Sequence, residues 1–77
     1  MRIDFKLLNT KEKFLQFMQE HLDDMYSLNY DALIDSITAY KSLELEFINL
    51  NDYEDIENLL DIINIVTNEN KNIIIKK

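Results

Sequence analysis

The sequence predicts a small α/β fold: a three-stranded parallel sheet with helices packed mainly on one face. Three observations carry this. Residues 2–7 and 43–48 alternate polar and apolar with period two, the mark of a strand with one face buried. Three other stretches repeat apolar residues at helical spacing. The resulting order is strand, helix, helix, strand, helix, strand, and strands joined through helices form parallel βαβ units with right-handed crossovers. Seventy-seven residues make one domain, 1–77. A chain of this size buries only about 60% of its unfolded surface, so its expected stability is on the order of 4 to 12 kcal/mol.

Arg2-Ile3-Asp4-Phe5-Lys6-Leu7 is the first strand, and Leu8-Asn9-Thr10 the turn after it. Asn9 or Thr10 caps a helix over about 10–22, and Asn9 with Glu12 has capping-box spacing. Phe14, Phe17, Met18, His21 and Leu22 share one face, widened by Leu15. A loop over 23–28 leads to a second helix that starts near Asn29 or Tyr30 and ends at Lys41-Ser42. Leu43–Ile48 is the second strand. Asn51 with Glu54 repeats the capping-box spacing before a third helix over about 52–67, with Tyr53, Ile56, Leu59, Leu60, Ile63 and Val66 toward the core and Ile62 and Ile65 broadening that face. Asn72–Ile75 is the last strand. Its unbroken apolar run is the pattern of a strand covered on both sides or lying between neighbouring strands. Arg2, Asp4, Lys6, Glu44 and Glu46 pull the other way and predict a partly wet sheet face, where opposite charges on neighbouring strands offset one another.

Gly and Pro are absent, so any backbone position with positive φ falls to Asn or Asp. Asn9, Asn29, Asn49, Asn51, Asn68, Asn70 and Asn72 all lie at or near these element boundaries.

The formal charge is −7, and it is unevenly spread. Residues 23–61 hold eleven acidic side chains against one basic one, Lys41. That disfavours nucleic-acid binding, which needs Lys and Arg against phosphates. It favours a basic partner approached with electrostatic steering, although solubility alone also accounts for an acidic surface. With no Cys there is neither a disulfide framework nor a thiolate metal site. The N-terminus lacks an apolar signal region and no run is long enough to span a membrane, so a reducing cytoplasm is the expected compartment. Monomer is the default state for an acidic domain of this size.

No catalytic motif is present: no Gly-rich phosphate loop, HExxH, GxSxG or CxxC. Asp31 and Asp35 would serve as a glycosidase-like pair only beside a sugar cleft, which a chain this small and without Trp gives little means to build. Asp23, Asp24, Asp31 and Asp35 lack EF-hand spacing. His21, the only histidine, has no Ser, Cys or His at motif spacing and reads as a structural helix-end residue. The expectation is therefore a non-enzymatic protein without cofactor or metal.

The central helix separates into two faces. Tyr30, Leu33, Ile37 and Tyr40 form an apolar stripe; Asp31, Asp35 and Thr38 form a polar one. Like charges four residues apart repel by about 0.2–0.5 kcal/mol on an exposed helix, so Asp35 adds little to stability. The loop before it carries Met25, Tyr26 and Leu28, which, if exposed, would give an apolar centre beside a charged rim; the alternative, of equal weight for Met25 and Tyr26, is that one or two of them close the edge of the core. Asp52, Glu54, Asp55 and Glu57 crowd the start of the third helix, where the helix dipole favours acids and where they extend the negative field.

Tyr26, Asn29, Asp31, Ala32, Leu33, Asp35 and Thr38 fall without a gap on the pattern Tyr-Tyr-Gly-x-Asn-x-Asp-Ala-Leu-Trp-Asp with Thr three residues on. This stretch resembles the barstar family, the intracellular protein inhibitors of barnase-type bacterial ribonucleases, and the element order fits that family over most of the chain. Met25, Ser27, Ile34 and Ala39 depart from it, standing where Tyr, Gly, Trp and Gly are usual. The resemblance implies an inhibitor whose acidic helix occupies the enzyme's cationic site in place of RNA phosphates. It gives Asp35 the central role and Asp31 a basic residue beside it. Thr38 and Asn29 would supply hydrogen bonds or shape the loop, Tyr26 apolar contact, and Ile34 a smaller contact than Trp. The family's further acidic contact on its last helix has no counterpart; Asn64, Ile65 or Val66 aligns there. The alternative is an adaptor of this fold, or another antitoxin or regulator, whose target is not a ribonuclease.

Overall fold

The structure, a computed structural model, describes residues 1–77. The elements are β1 (Arg2–Asp4), α1 (Lys11–His21), α2 (Tyr30–Thr38), β2 (Leu43–Ile48), a 3-10 turn (Leu50–Asp52), α3 (Ile56–Glu69) and β3 (Ile73–Lys76). The sheet is parallel throughout, in the order β1-β2-β3. Ile3 faces Phe47 across the first pair and Leu45 faces Ile75 across the second. Two crossovers of the same hand that step in the same direction put their helices on the same side. All three helices therefore cover one face, and the other stays open.

Eighteen buried side chains form one core beneath the helices. Phe5 sits at its centre, with the rings of Phe14, Phe47 and Tyr53 at 5.2, 5.2 and 5.0 Å. The open face carries the chain's two ion pairs, Arg2–Glu46 and Lys76–Glu44, each at 3.4 Å, which is the expected offset of charges on neighbouring strands. It also carries Ile74, 51% exposed. The expectation that the last strand is covered on both sides or lies between neighbours is thus corrected: β3 is an edge strand, and the run of Ile73, Ile74 and Ile75 straddles the sheet, with Ile73 buried and Ile74 toward solvent.

Several boundaries move for local reasons. β1 stops at Asp4, not Leu7, because the Asp4 carboxylate accepts the Lys6 N–H at 2.9 Å while its carbonyl accepts from Leu7 and Leu8. A short polar side chain here competes with the sheet ladder for the backbone. Asn49 also donates to Asp4 at 2.9 Å, and the two bonds hold this carboxyl below its ordinary range. Leu7 is left 73% exposed. Of the two caps offered for α1, Thr10 serves, accepting from Lys13 N–H at 3.2 Å.

The box of Asn51 and Glu54 does not form. Glu54 instead crosses to α1, where its carboxylate accepts the Lys11 N–H at 2.8 Å and its own N–H donates to the Asn9 carbonyl at 2.9 Å. That commitment delays α3 to Ile56. The positive φ values fall on Asp24 (60°) and Asn49 (56°), the residue types expected in a chain without glycine.

Candidate functional site

α2 starts where Asn29 accepts the Ala32 N–H at 2.7 Å, a side-chain cap on one of the helix's orphan donors. Asn29 also donates to Ser27 at 2.7 Å, which shapes the end of the preceding loop. Behind the helix, Ala32, Leu33, Ser36 and Ile37 are buried. The expected apolar stripe is thus right at Leu33 and Ile37, while Tyr30 and Tyr40 at its ends are half-buried.

In front, Asp31 and Asp35 are exposed one turn apart, and their carboxylates have no hydrogen-bond or ion-pair partner within the chain. Ile34 and Thr38 are half-buried on the flank of that face. Thr38 does not offer a free hydroxyl proton: it donates to the Ile34 carbonyl at 2.7 Å, one turn back. The loop places Met25 in the core and leaves Tyr26 71% and Leu28 42% exposed. Tyr26, Leu28, Asp31 and Asp35 are therefore solvent-facing on the same loop and helix, and Asn29 lies between them as a structural cap.

The loop is held from behind by residues whose role local pattern does not reveal. Buried Ser36 donates to the Asp23 carbonyl, and Asp23 N–H donates to the Tyr40 hydroxyl at 2.8 Å. Gln19 donates to the Met25 carbonyl at 3.1 Å. Asp23, Asp24, Ser36, Ala39 and Tyr40 line an open pocket of about 130 Å³. The hydroxyls of Tyr30 and Tyr53 lie 2.8 Å apart, and Tyr30 donates to Asp55 at 2.7 Å. A carboxylate only accepts, so Tyr53 donates in turn to the Tyr30 oxygen. Burial foremost, then the bond to Asp55, raises Tyr30 far above the usual tyrosine range. Burial likewise pushes Tyr53 up to about 12.

α2 ends at Thr38, short of the expected Lys41, because Asn70 donates to the carbonyls of Thr38 (3.2 Å) and Tyr40 (2.7 Å). His21 is exposed at the end of α1, stacked on Phe17 at 4.1 Å and bonded through Nδ1 to the Phe17 carbonyl at 2.8 Å, as a structural residue would be. No three His, Cys, Asp or Glu side chains come together as a metal cluster. No helix is long and apolar enough to cross a membrane. No protein-family model matches this chain, and no curated protein matches it.

Proposed function

We propose that this chain is a cytoplasmic protein inhibitor of a barnase-type bacterial ribonuclease, a monomer when free, which blocks the enzyme's cationic site with α2 and does no chemistry of its own. The observation that carries this reading is the pair Asp31 and Asp35: two carboxylates on one exposed helical face that nothing in the chain neutralises. The resemblance of Tyr26 to Thr38 to the barstar pattern supports it, as do the exposed rings and side chains of Tyr26 and Leu28 beside the acids.

A ribonuclease site presents Arg, Lys and His to hold RNA phosphates. Carboxylates spaced along a folded helix take those positions without the ordering cost a flexible segment incurs. Asp35 is the central group and Asp31 pairs with a neighbouring cation. Tyr26 and Ile34 add apolar contact. Thr38 retains an acceptor oxygen, and Asn29 acts by holding the start of the helix. The whole chain needs no cofactor, nucleic acid or membrane for this role.

Titration of a barnase-type ribonuclease, followed by RNA cleavage, tests it. Stoichiometric loss of cleavage is expected with the wild type and none with Asp35→Ala. The variant melts at the same temperature or slightly higher, since a like-charge contact worth about 0.2–0.5 kcal/mol is removed. A variant that loses much stability would make Asp35 structural. A wild type that leaves several such enzymes active would move the function to an adaptor for a different basic protein.

A further inference from the structure

Nine residues make α2 too short to hold its shape alone. Its placement depends on what grips its ends, and both grips come from α3. Asp55 is the N-cap residue of α3 and Asn70 its C-cap residue. Neither spends its side chain wholly on its own helix. Asp55 accepts from Tyr30, the first residue of α2, at 2.7 Å, with its other oxygen taken by Asn58 at 3.0 Å. Asn70 donates to the carbonyls of Thr38 and Tyr40 at the far end of α2. The start of α2 thus meets the start of α3, and the end meets the end, so the two helices lie side by side and parallel. Asp31 follows Tyr30 directly, and Asp35 lies between the two grips.

We propose that Tyr30, Asp55 and Asn70 are positioning residues for the acidic face: α3 splints α2 at both ends, and the strength of partner binding depends on these side chains although they sit behind or beside the binding surface. This rests on the inhibitor reading for the identity of the partner. The splint itself does not.

The groups facing Tyr30 fit a tie built to persist. Tyr53 and Asp55 precede α3 and bond its oxygen. Lys11 of α1 places its ammonium 4.5 Å from the centre of the Tyr30 ring, and Glu54 beside Tyr53 is occupied by the Lys11 N–H. The ring is therefore held by α1 while the hydroxyl is held by α3. Tyr30→Phe keeps the ring and the net charge and removes only the tie.

The test uses the full chain and a purified barnase-type ribonuclease, with Tyr30→Phe, Asn70→Ala and Asp55→Asn. Tyr30→Phe and Asn70→Ala are each expected to speed dissociation about tenfold, as the loss of one or two hydrogen bonds allows. Their association rates stay near wild type, because charge is unchanged. Asp55→Asn, which keeps one acceptor oxygen where Asp55 uses two, for Tyr30 and Asn58, is expected to speed dissociation by less than Tyr30→Phe; a larger loss would give Asp55 a role outside the tie and overturn its part in the proposal. Tyr30→Phe added to Asp31→Ala, which leaves the central Asp35 in place, costs less than the sum of the two single losses, since the tie acts through the acidic face; additive losses would instead mark a general destabilisation and overturn the proposal.

Amide exchange of the free proteins supplies a readout without the enzyme. Tyr30→Phe and Asn70→Ala should accelerate exchange along α2 at Leu33 to Thr38 and leave Leu45 and Phe47 in the central strand unchanged. Unchanged exchange along α2, or equal acceleration in β2, would overturn the splint. Failure of the wild type to bind the ribonuclease, with the exchange result intact, would sink the inhibitor reading alone.

Discussion

Tyr30 and Tyr53 show how one side chain can look like core in a sequence and act as a hydrogen-bonded link in the fold. Both occupy apolar positions of their helical patterns; Tyr53 is buried and Tyr30 is half-buried against the core. Only the arrangement of α2 against the residues before α3 brings the two hydroxyls and Asp55 into one chain of bonds. The consequence is a pH dependence with a definite sign. Below pH 10 both tyrosines are protonated whether the chain is folded or not, and their contribution to stability is complete. Above it the unfolded chain ionises first, while folded Tyr53 keeps its proton up to about 12 and Tyr30 keeps its own longer. Stability is therefore lost as pH rises through this window. Urea unfolding between pH 9 and pH 12 is expected to show a shallower decline in Tyr53→Phe than in the wild type; identical slopes would remove the tyrosines as its cause.

At the scale of the element, α2 is the clearest case of local chemistry and tertiary contacts dividing the work. Its start is written in Asn29, whose cap of Ala32 needs nothing beyond three residues of chain. Asn29→Ala should cost about 1 kcal/mol in urea unfolding, and its effect on binding should follow from that fraying; an unchanged midpoint would mean that water replaces the cap. Its end was not legible, because Asn70 lies thirty or more residues away from the carbonyls it takes. The same holds for Glu54, which has the spacing to cap its own helix and caps α1 instead. Spacing identifies a carboxylate able to cap, but which orphan N–H it reaches is a matter of packing. Of the candidate site, Asp31 and Asp35 were readable as surface groups, since the helical period separates them from Leu33 and Ile37; for Tyr26, in the loop, no period distinguished exposure from closure of the core edge. The internal bond of the Thr38 hydroxyl and the anchoring of the loop by Ser36, Gln19 and Tyr40 were not.

Across the whole molecule, charge and topology combine. Glu44 and Glu46 are paired with Lys76 and Arg2 on the open sheet face. Of the acids without ion-pair partners only Asp4 belongs to the sheet; the others, Asp31 and Asp35 among them, lie in the helical layer and the loops that enter it. The negative field is therefore concentrated on the side that carries α2. A basic partner should be steered to that side, with an association rate that falls as salt rises, since exposed charges are screened beyond about 10 Å at 0.1 M. Stopped-flow association across a range of ionic strength would check this; a flat profile would remove steering from the account.

Period-two and helical periodicities in the chain were enough to specify a three-stranded parallel α/β fold, because burial of one face of each element follows directly from where its apolar residues recur. They were also enough to place two unpaired carboxylates on the outer face of one short helix. The charged alternation of Arg2, Asp4, Glu44 and Glu46 had already marked the second sheet face as partly wet; tertiary structure decided that all three helices lie on the other side, since that follows from the order β1-β2-β3 and the shared direction of both crossovers. It also decided where α2 and α3 begin and end and which side chains hold them together, because those bonds join residues far apart in sequence, and no local pattern encodes which distant partner a side chain will reach.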